Sequence, residues 1–294
     1  MNDQCSSCGE PPRRRSDGSL IPLLQCTRCR LAWYHDVSCQ TKHHAEHKTT
    51  CRLPYRIESR VGKGRCLVAT RRIESGSVLG SFGAVVPPVL VREQRRRRCI
   101  VCLSPTDSKP IYETEQYIVR VCSETCRNQP WVDGEVRAVD RALRDVPMIF
   151  PTALLVYRLR DSNLQKYHSY MDTSSEDVQT HQLAVAMTLS ALKVDCNVVD
   201  ILRRAWANLF SIPDVANALF QTPSHYINHS CVPNAVQEYE IRAGRAPKLV
   251  IRAQKDISFG EEISIAYTDL EDDSERRSFL KESYGFDCDC PRCS

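Results

Sequence analysis

Residues 228–234 read Asn228-His229-Ser230-Cys231-Val232-Pro233-Asn234, one thiol inside a run of amide, imidazole and hydroxyl side chains. Its meaning depends on the far end of the chain, where Cys288-x-Cys290-x2-Cys293 crowds three thiols together. Three thiolates do not close a structural zinc site, which takes four ligands in a tetrahedron. The fourth has to come from elsewhere. Once the cysteine doublets and the His35/Cys39 and His47/Cys51 pairs are set aside, only Cys66, Cys196 and Cys231 remain.

Those doublets dominate the composition of a chain with 294 residues and 16 cysteines. Disulfides would need an oxidising compartment. The start, Met1-Asn2-Asp3-Gln4-Cys5, has no basic-then-apolar signal pattern, so export is not expected. Metal binding instead predicts ligands two or three residues apart, because such a pair can reach one ion. Cys5/Cys8, Cys26/Cys29, Cys99/Cys102 and Cys122/Cys126 have that spacing, which favours zinc over disulfides. The remaining composition, 42% hydrophobic and 26% charged, is that of a folded soluble protein, long enough for one large domain or two smaller ones. A net charge of +4 argues against a basic nucleic-acid coat and against a polyacidic disordered chain, while allowing a local basic patch. No apolar run approaches the roughly 18 residues that cross a bilayer, so a membrane is not an expected partner.

In the first 51 residues, Cys5-x2-Cys8, Cys26-x2-Cys29, His35-x3-Cys39 and His47-x3-Cys51 make four pairs, enough for two closed sites. The segment is too short and polar to fold on an apolar core, so zinc would supply most of its folding free energy. The run Trp33-Tyr34-His35-Asp36-Val37-Ser38-Cys39-Gln40, with His47-Lys48-Thr49-Thr50-Cys51 behind it, resembles a MYND zinc finger. The resemblance implies interleaved ligands: Cys5, Cys8, His35 and Cys39 on one zinc, Cys26, Cys29, His47 and Cys51 on the other. His35 stands where that family usually has Cys, a change an imidazole nitrogen accommodates. The spacer from Cys8 to Cys26 is longer than usual and carries Arg13-Arg14-Arg15. His43 and His44 are expected to face solvent, although either could compete with His47. Farther on, Cys99-x2-Cys102 and Cys122-x3-Cys126 form one more four-ligand set, the alternative being four buried free thiols. A β-like run, Tyr117 to Val121, would deliver Cys122.

The opening stretch resembles the Asn-His-Ser-Cys-x-Pro-Asn signature of SET-domain methyltransferases. In that family this Cys joins a C-terminal Cys-x-Cys-x2-Cys, the post-SET element, on one zinc. The resemblance therefore puts Cys231 with Cys288, Cys290 and Cys293, brings the expected zinc count to four and leaves Cys66 and Cys196 over. Other marks follow in family order. Val61-Gly62-Lys63-Gly64-Arg65-Cys66 resembles the Gly-x-Gly turn near the start of the domain, where glycine lets backbone approach a ligand; Cys66 stands where the family often has another glycine. Ala207-Asn208-Leu209-Phe210-Ser211-Ile212 is similar to the Cys-Asn-x-Phe-x-Ile stretch of the SET-and-MYND family, whose Asn contacts the cofactor. The residues alone read equally well as a helix C-terminus with a solvated Asn208. Gly260-Glu261-Glu262-Ile263-Ser264-Ile265-Ala266-Tyr267 resembles the Gly-Glu-Glu-Leu/Ile-x3-Tyr motif, and Ile263 and Ile265 alternate as in a half-buried strand. Glu282-Ser283-Tyr284-Gly285-Phe286-Asp287-Cys288 resembles the segment that precedes the post-SET cysteines. The resemblance covers nearly the whole chain and is weakest from about 127 to 200.

It implies an α+β fold of short strands with a helical insert, a zinc-stabilised finger and a post-SET zinc element. The expected divisions are a finger at 1–53, the first SET half at 54–98, a four-cysteine insertion at 99–130, a helical insert at 131–212, the catalytic core at 213–268 and the post-SET element at 269–294. In the insert, Leu183, Val185, Ala186, Leu189, Leu192 and Lys193 lie on or beside one helical stripe. Ile201, Leu202, Ala205, Trp206 and Leu209 form another, and Asp172 to Asp177 breaks the helices. Arg95 to Arg98 read as a solvated approach to the insertion rather than a nuclear address. Many family members carry a helical repeat domain after the post-SET cysteines. With none after Ser294, a less covered substrate cleft is expected.

The activity implied is transfer of a methyl group from S-adenosylmethionine to a protein lysine, in a histone tail or another protein. Tyr267 and Tyr284 are the expected catalytic residues, the Tyr267 hydroxyl lying near both the cofactor's methyl group and the incoming amine. Tyr284 and Phe286 would wall the lysine channel and cofactor pocket, Asn228 and His229 would hold the cofactor, and Asn208 would touch it. Lys63 and Arg65, beside Gly64, could meet its carboxylate. The finger could take a short partner peptide. The alternative is a catalytically weak interaction scaffold; nucleic-acid binding is not expected, given the modest charge and no basic recognition helix. Nucleus or cytoplasm, or both, is the expected location. Elemental analysis of the purified chain is expected to return four zincs per molecule, and two would remove half of the ligand argument.

Overall fold

The computed structural model describes residues 4–27, 32–51, 53–114, 117–141, 150–165, 167, 185–187, 189–190 and 196–293. The finger holds a two-residue ladder, β1 (Leu24–Gln25) against β2 (Trp33–Tyr34), followed by helix α1 (Val37–Thr50). The helix starts where it does because the Asp36 carboxylate accepts the Cys39 N–H at 2.9 Å, satisfying one of the unpaired first-turn donors. Arg13, from the long spacer, holds the same carboxylate at 2.8 Å. The finger's own buried set is Cys5, Cys26, Ala32, Tyr34, Cys39 and Cys51, mostly thiols rather than an apolar core. His44 is exposed, as expected, but His43 is not a solvent residue: its ring stacks on His47 at 5.6 Å and its Nδ1 lies 3.1 Å from the Tyr34 hydroxyl. On a helix, positions 43 and 47 share a face, so packing His47 inward takes His43 with it. Lys248 Nζ sits 4.7 Å over the Trp33 ring, fastening the finger to the rest of the chain.

The chain then builds short, separate sheets, giving the mixed α+β class the sequence implies. β3 (Tyr55–Arg60) and β4 (Gly64–Ala69) form a hairpin whose turn puts Gly62 and Gly64 at φ +76° and +67°, a region open to glycine but strained for other residues. β14 (Glu262–Ile265) pairs antiparallel with β4 and parallel with β11 (Asn228–His229), giving the order β11-β14-β4-β3. A second sheet runs β12 (Ala235–Glu240), β13 (Lys248–Ala253), β5 (Val78–Gly83). A third joins β6 (Val89–Leu90), β10 (Ala216–Ala218) and β9 (Phe210–Ile212). The parallel β11–β14 pair is what sets the Asn-His motif beside the strand that ends near Tyr267.

Between the first and last strands lie β7 (Tyr112–Glu113), β8 (Ile118–Val119), α2 (Glu124–Arg127), α3 (Pro130–Arg141) and α4 (Phe150–Leu159), with a further helix at Val198–Trp206. Leu183, Leu192, Lys193 and the break at Asp172 to Asp177 lie outside the described residues; Val185 and Leu189 are buried. Ile201, Leu202 and Ala205 are buried as the stripe requires, but Trp206 is 43% exposed. One residue past Ala205 is a 100° turn away from the buried face. A buried network ties this insert together. Glu135 (α3) accepts the Tyr117 hydroxyl at 2.5 Å and pairs with Arg158 (α4) at 2.6 Å, and Arg158 also donates to the Pro87 carbonyl at 2.8 Å. The Arg158 and Glu135 side chains are 4% and 1% exposed. Removing one member of such a pair strands the other charge, so Glu135→Ala is expected to cost about 3–5 kcal/mol, read from denaturant unfolding.

Candidate active site

The described residues hold four groups of metal-type ligands whose donor atoms lie within 4.8 Å of one another: Cys5, Cys8, His35 and Cys39; Cys26, His47 and Cys51; Cys99, Cys102, Cys122 and Cys126; and Cys231, Cys288, Cys290 and Cys293. Cys29 lies outside the described residues. Tetrahedral zinc with Zn–S bonds of about 2.3 Å spaces its sulfurs about 3.8 Å apart. The observed separations are 3.5 Å for Cys231–Cys293, 3.8 Å for Cys231–Cys288, 3.7 Å for Cys122–Cys126 and 3.5 Å for Cys26–Cys51. His47 Nε2 stands 3.3 Å from the Cys26 sulfur and His35 Nδ1 3.5 Å from that of Cys8. These are the edges of a coordination tetrahedron and far exceed a disulfide's bond of about 2.05 Å. None of the described cysteines is in a disulfide. The finger's two groups interleave as the MYND resemblance implies. In the insertion, the hydrogen bond between Cys99 and Cys102 lowers the pKa of Cys102 and raises that of Cys99.

The last group depends on how the tail is turned. The helix Asp273–Tyr284 is capped at its start by Asp272, whose carboxylate accepts the Glu275 N–H, and stops at Gly285, left-handed at φ +76° with its N–H on the Lys281 carbonyl. That turn sends Phe286 inward and Cys288 toward Cys231. Arg276, only 1% exposed, points from the helix into the cluster: its Nε donates to the Cys231 sulfur at 3.1 Å and its Nη1 to the Glu271 carbonyl at 3.0 Å. Asp273 binds the same guanidinium.

Beside this cluster, His229 accepts the Tyr267 backbone N–H on Nδ1 at 3.0 Å, and its Nε2 lies 3.2 Å from the Cys231 sulfur. Burial, with the Arg276 charge adding to it, pulls the imidazole down to about 4, so it is neutral near pH 7. Asn228 donates to the Lys63 carbonyl at 3.3 Å and to Glu262 Oε1 at 3.0 Å. Asn234, buried, bonds Glu261 Oε1 at 2.9 Å and the Glu262 carbonyl at 2.8 Å. Tyr267 donates its hydroxyl to the Ile227 carbonyl at 2.7 Å, and burial raises its pKa, so it stays protonated. The rings close around it: Tyr267–Tyr284 centroids are 4.7 Å apart, His229–Tyr267 5.4 Å, His229–Phe286 6.1 Å and Tyr267–Phe286 6.4 Å.

A cavity of about 590 Å³ opens on Tyr267 and Tyr284, with Asn208, Phe210, Trp206 and Ile227 also on its wall. Asn208 is buried rather than solvated: its amide donates to the Arg204 carbonyl at 2.7 Å. Next to the motif strands, a Cβ built on Gly62 or Gly64 meets nothing within 4 Å, leaving open room beside the turn's backbone. Lys63 Nζ is 3.4 Å from Asp289 and 3.7 Å from Glu262. Arg65 lies 4.4 Å over the Tyr226 ring and donates to its hydroxyl at 2.7 Å. Cys66 faces inward, fully buried, its thiol bonded to the Glu58 carbonyl, so it takes no room from that side of the turn. Open backbone, two basic side chains and the Asn228–His229 amides are a donor set that fits an amino-acid-bearing nucleoside.

The family model for the SET domain matches residues 64–268, and that for the MYND finger matches residues 5–51. The chain belongs to the SET-domain family. Among curated proteins it is 26% identical over 246 residues to the human histone-lysine N-methyltransferase SMYD3, covering 73% of this chain and 52% of that one. It is 26% identical over 274 residues to the N-lysine methyltransferase SMYD2-B of Xenopus laevis, covering 79% and 59%. Over 86 residues, 29% of this chain and 19% of the other, it is 37% identical to the histone-lysine N-methyltransferase SET5 of Yarrowia lipolytica. The chain thus spans about half the length of the curated relatives it matches first.

Two groups at this SET-domain site escape a reading of the sequence. Glu262 lies inside a quoted motif, yet only the pairing of β14 with β11 and β4 shows that it binds Asn228 and Lys63. Arg276 sits in a charged run, Asp273-Ser274-Glu275-Arg276-Arg277, with nothing to single it out until the helix packs. Arg276→Ala is expected to lower zinc affinity about 10–100-fold, as loss of groups that hold metal ligands does. Competition with a zinc chelator measures it, and wild-type retention would refute the role.

Proposed function

We propose that this chain is an S-adenosylmethionine-dependent protein-lysine N-methyltransferase. The observation that carries the reading is the aromatic enclosure of Tyr267 by Tyr284 and Phe286, held against the Asn228–His229 strand by the folded-back tail. The relatives named above are lysine methyltransferases by description, which supports the same chemistry and does not favour a scaffold without activity.

S-adenosylmethionine, when bound, supplies an electrophilic methyl group. Asn228, His229, Gly64, Lys63 and Arg65 are the residues that would hold it, and Phe286 would pack on it. The cavity of about 590 Å³ has the volume for a lysine side chain, whose amine must lose a proton from a solution pKa of about 10.4 before it can attack. An apolar aromatic surround lowers that value by removing water from the cation, while ring faces still hold the amine and its methylated forms. The Tyr267 hydroxyl spends its proton on the Ile227 carbonyl, so toward the amine it offers lone pairs and accepts an N–H. Fixing one N–H in this way aims the nitrogen lone pair, which is catalysis by orientation. Because burial shifts Tyr267 and Tyr284 both upward from the ordinary tyrosine value, neither titrates in the neutral range, and a rise of rate with pH there is expected to follow the substrate amine.

The four ligand groups are proposed to hold four zincs, with Cys29 completing the second. The finger is proposed to take a short peptide of a partner protein. Reduced thiol clusters suit the cytoplasm or nucleus. No helix among the described residues is long and apolar enough to cross a membrane. Calorimetry with S-adenosylmethionine tests cofactor binding directly. Tyr267→Phe is expected to bind the cofactor normally and to lose about 10²–10³ in methyl transfer to a mixed histone preparation, the usual cost of one positioned polar contact; unchanged turnover would refute the assignment.

A further inference from the structure

The insertion at 99–126 repeats the build of the finger's first ligand group. In the finger, the Cys5 N–H donates to the Glu10 carbonyl and the Gly9 N–H to the Cys5 carbonyl, both at 2.8 Å, with Gly9 at φ +75°. In the insertion, the Cys99 N–H donates to the Ser104 carbonyl and the Leu103 N–H to the Cys99 carbonyl, both at 3.0 Å, with Leu103 at φ +62°. The second pairs match too. Asp36, one residue after His35, caps the helix that carries Cys39, and Ser123, one residue after Cys122, caps the helix that carries Cys126.

The two copies differ in their surroundings. The finger's buried set stands apart from the main core, whereas Cys99, Cys102, Leu103 and Cys126 belong to the same core as Leu249 and Ile265. A leucine is strained in the left-handed region, and packing on all sides is what keeps it there. Two links lead from this core to the cavity. The Tyr117 hydroxyl, between the two cysteine pairs, donates to Glu135 on α3; Glu135 pairs with Arg158 on α4, which donates to the Pro87 carbonyl just before β6. Thr152 and Leu155 of α4 and Val89 of β6 are cavity wall. On the other side, the Gly244 N–H in the turn from β12 to β13 faces the Cys102 sulfur, and β12 brings Gln237 to the cavity. The residues that would hold the cofactor sit elsewhere, on the β11-β14-β4-β3 sheet and the tail.

We propose that residues 99–126 are a second, single-metal finger that braces the substrate cavity: closing its four thiols on zinc fixes α4 and β12 and leaves the cofactor side alone. The inference rests on the methyltransferase reading above only in naming the cavity a substrate site.

The test compares the full zinc-loaded chain with the double variant Cys99→Ala, Cys102→Ala by elemental analysis, amide hydrogen exchange and calorimetry with S-adenosylhomocysteine. The variant is expected to hold one zinc fewer. Exchange in α4 and β12 is expected to quicken at least about tenfold, a small part of what a structural zinc contributes. Exchange at 62–66 and affinity for S-adenosylhomocysteine are expected to change by less than about twofold, as for sites with no shared partner. Removing the matching pair from the finger, Cys5→Ala with Cys8→Ala, is expected to lose one zinc and leave α4 and β12 as they are. Wild-type exchange in α4 and β12 of the insertion variant, an equal loosening of 62–66, an unchanged zinc count, or a finger variant that loosens α4 and β12 as much overturns the proposal. Should the insertion variant fail to fold, Tyr117→Phe keeps every thiol and cuts the link to α3. It is expected to quicken exchange in α4 about fivefold, the factor carried by one hydrogen bond of ordinary net strength, and wild-type exchange there overturns the proposal equally. Failure of wild type to bind S-adenosylhomocysteine would sink the methyltransferase reading and leave the exchange results standing, so the two failures are told apart.

Discussion

The convergence of Cys231 with Cys288, Cys290 and Cys293 is the contact on which the site depends. The helix that leads into it buries little of its own, Arg276 and Leu280 among its twelve residues, and its outer face is charged. Apolar packing alone gives such a segment a weak hold. Four thiols at tetrahedral spacing, with a guanidinium bonded to one of them, supply the hold instead. Because Tyr284 ends the helix and Phe286 lies between it and the cysteines, closing the cluster also closes the aromatic wall around Tyr267. Closure of the ligand cluster and of the aromatic wall are thus geometrically coupled.

The second constraint is polar. Asn234 stitches the loop after Cys231 to Glu261 and to the Glu262 backbone, and Asn228 reaches Glu262 and the Lys63 carbonyl. His229, neutral, takes the Tyr267 N–H on one ring nitrogen and lies against the Cys231 sulfur with the other. Amide, imidazole and thiol in the 228–234 motif therefore bind three different parts of the chain, which pins the loop from three sides. Prepaid positioning of this kind is what an alignment-driven reaction needs.

Much of this was legible in the residues. Cysteine spacing marked the ligand pairs, because two donors a few residues apart can reach one ion whatever surrounds them. Strand periodicity marked Ile263 and Ile265, both buried. Two details were misread for one reason, that neighbours in space are not neighbours in sequence: Trp206 is exposed on the cavity, and His43 is stacked in the finger.

The sequence by itself determined the chemistry available to this protein: which atoms can take a metal, which tyrosines and amides stand near a glycine turn, and the order in which they come. Tertiary structure decided which of them meet. It joined Cys231 to thiols 57 and 62 residues farther along and turned Arg276 inward. Such outcomes rest on long-range packing and on the closure of a cluster, and a linear pattern carries no information about distance once the chain has folded back on itself.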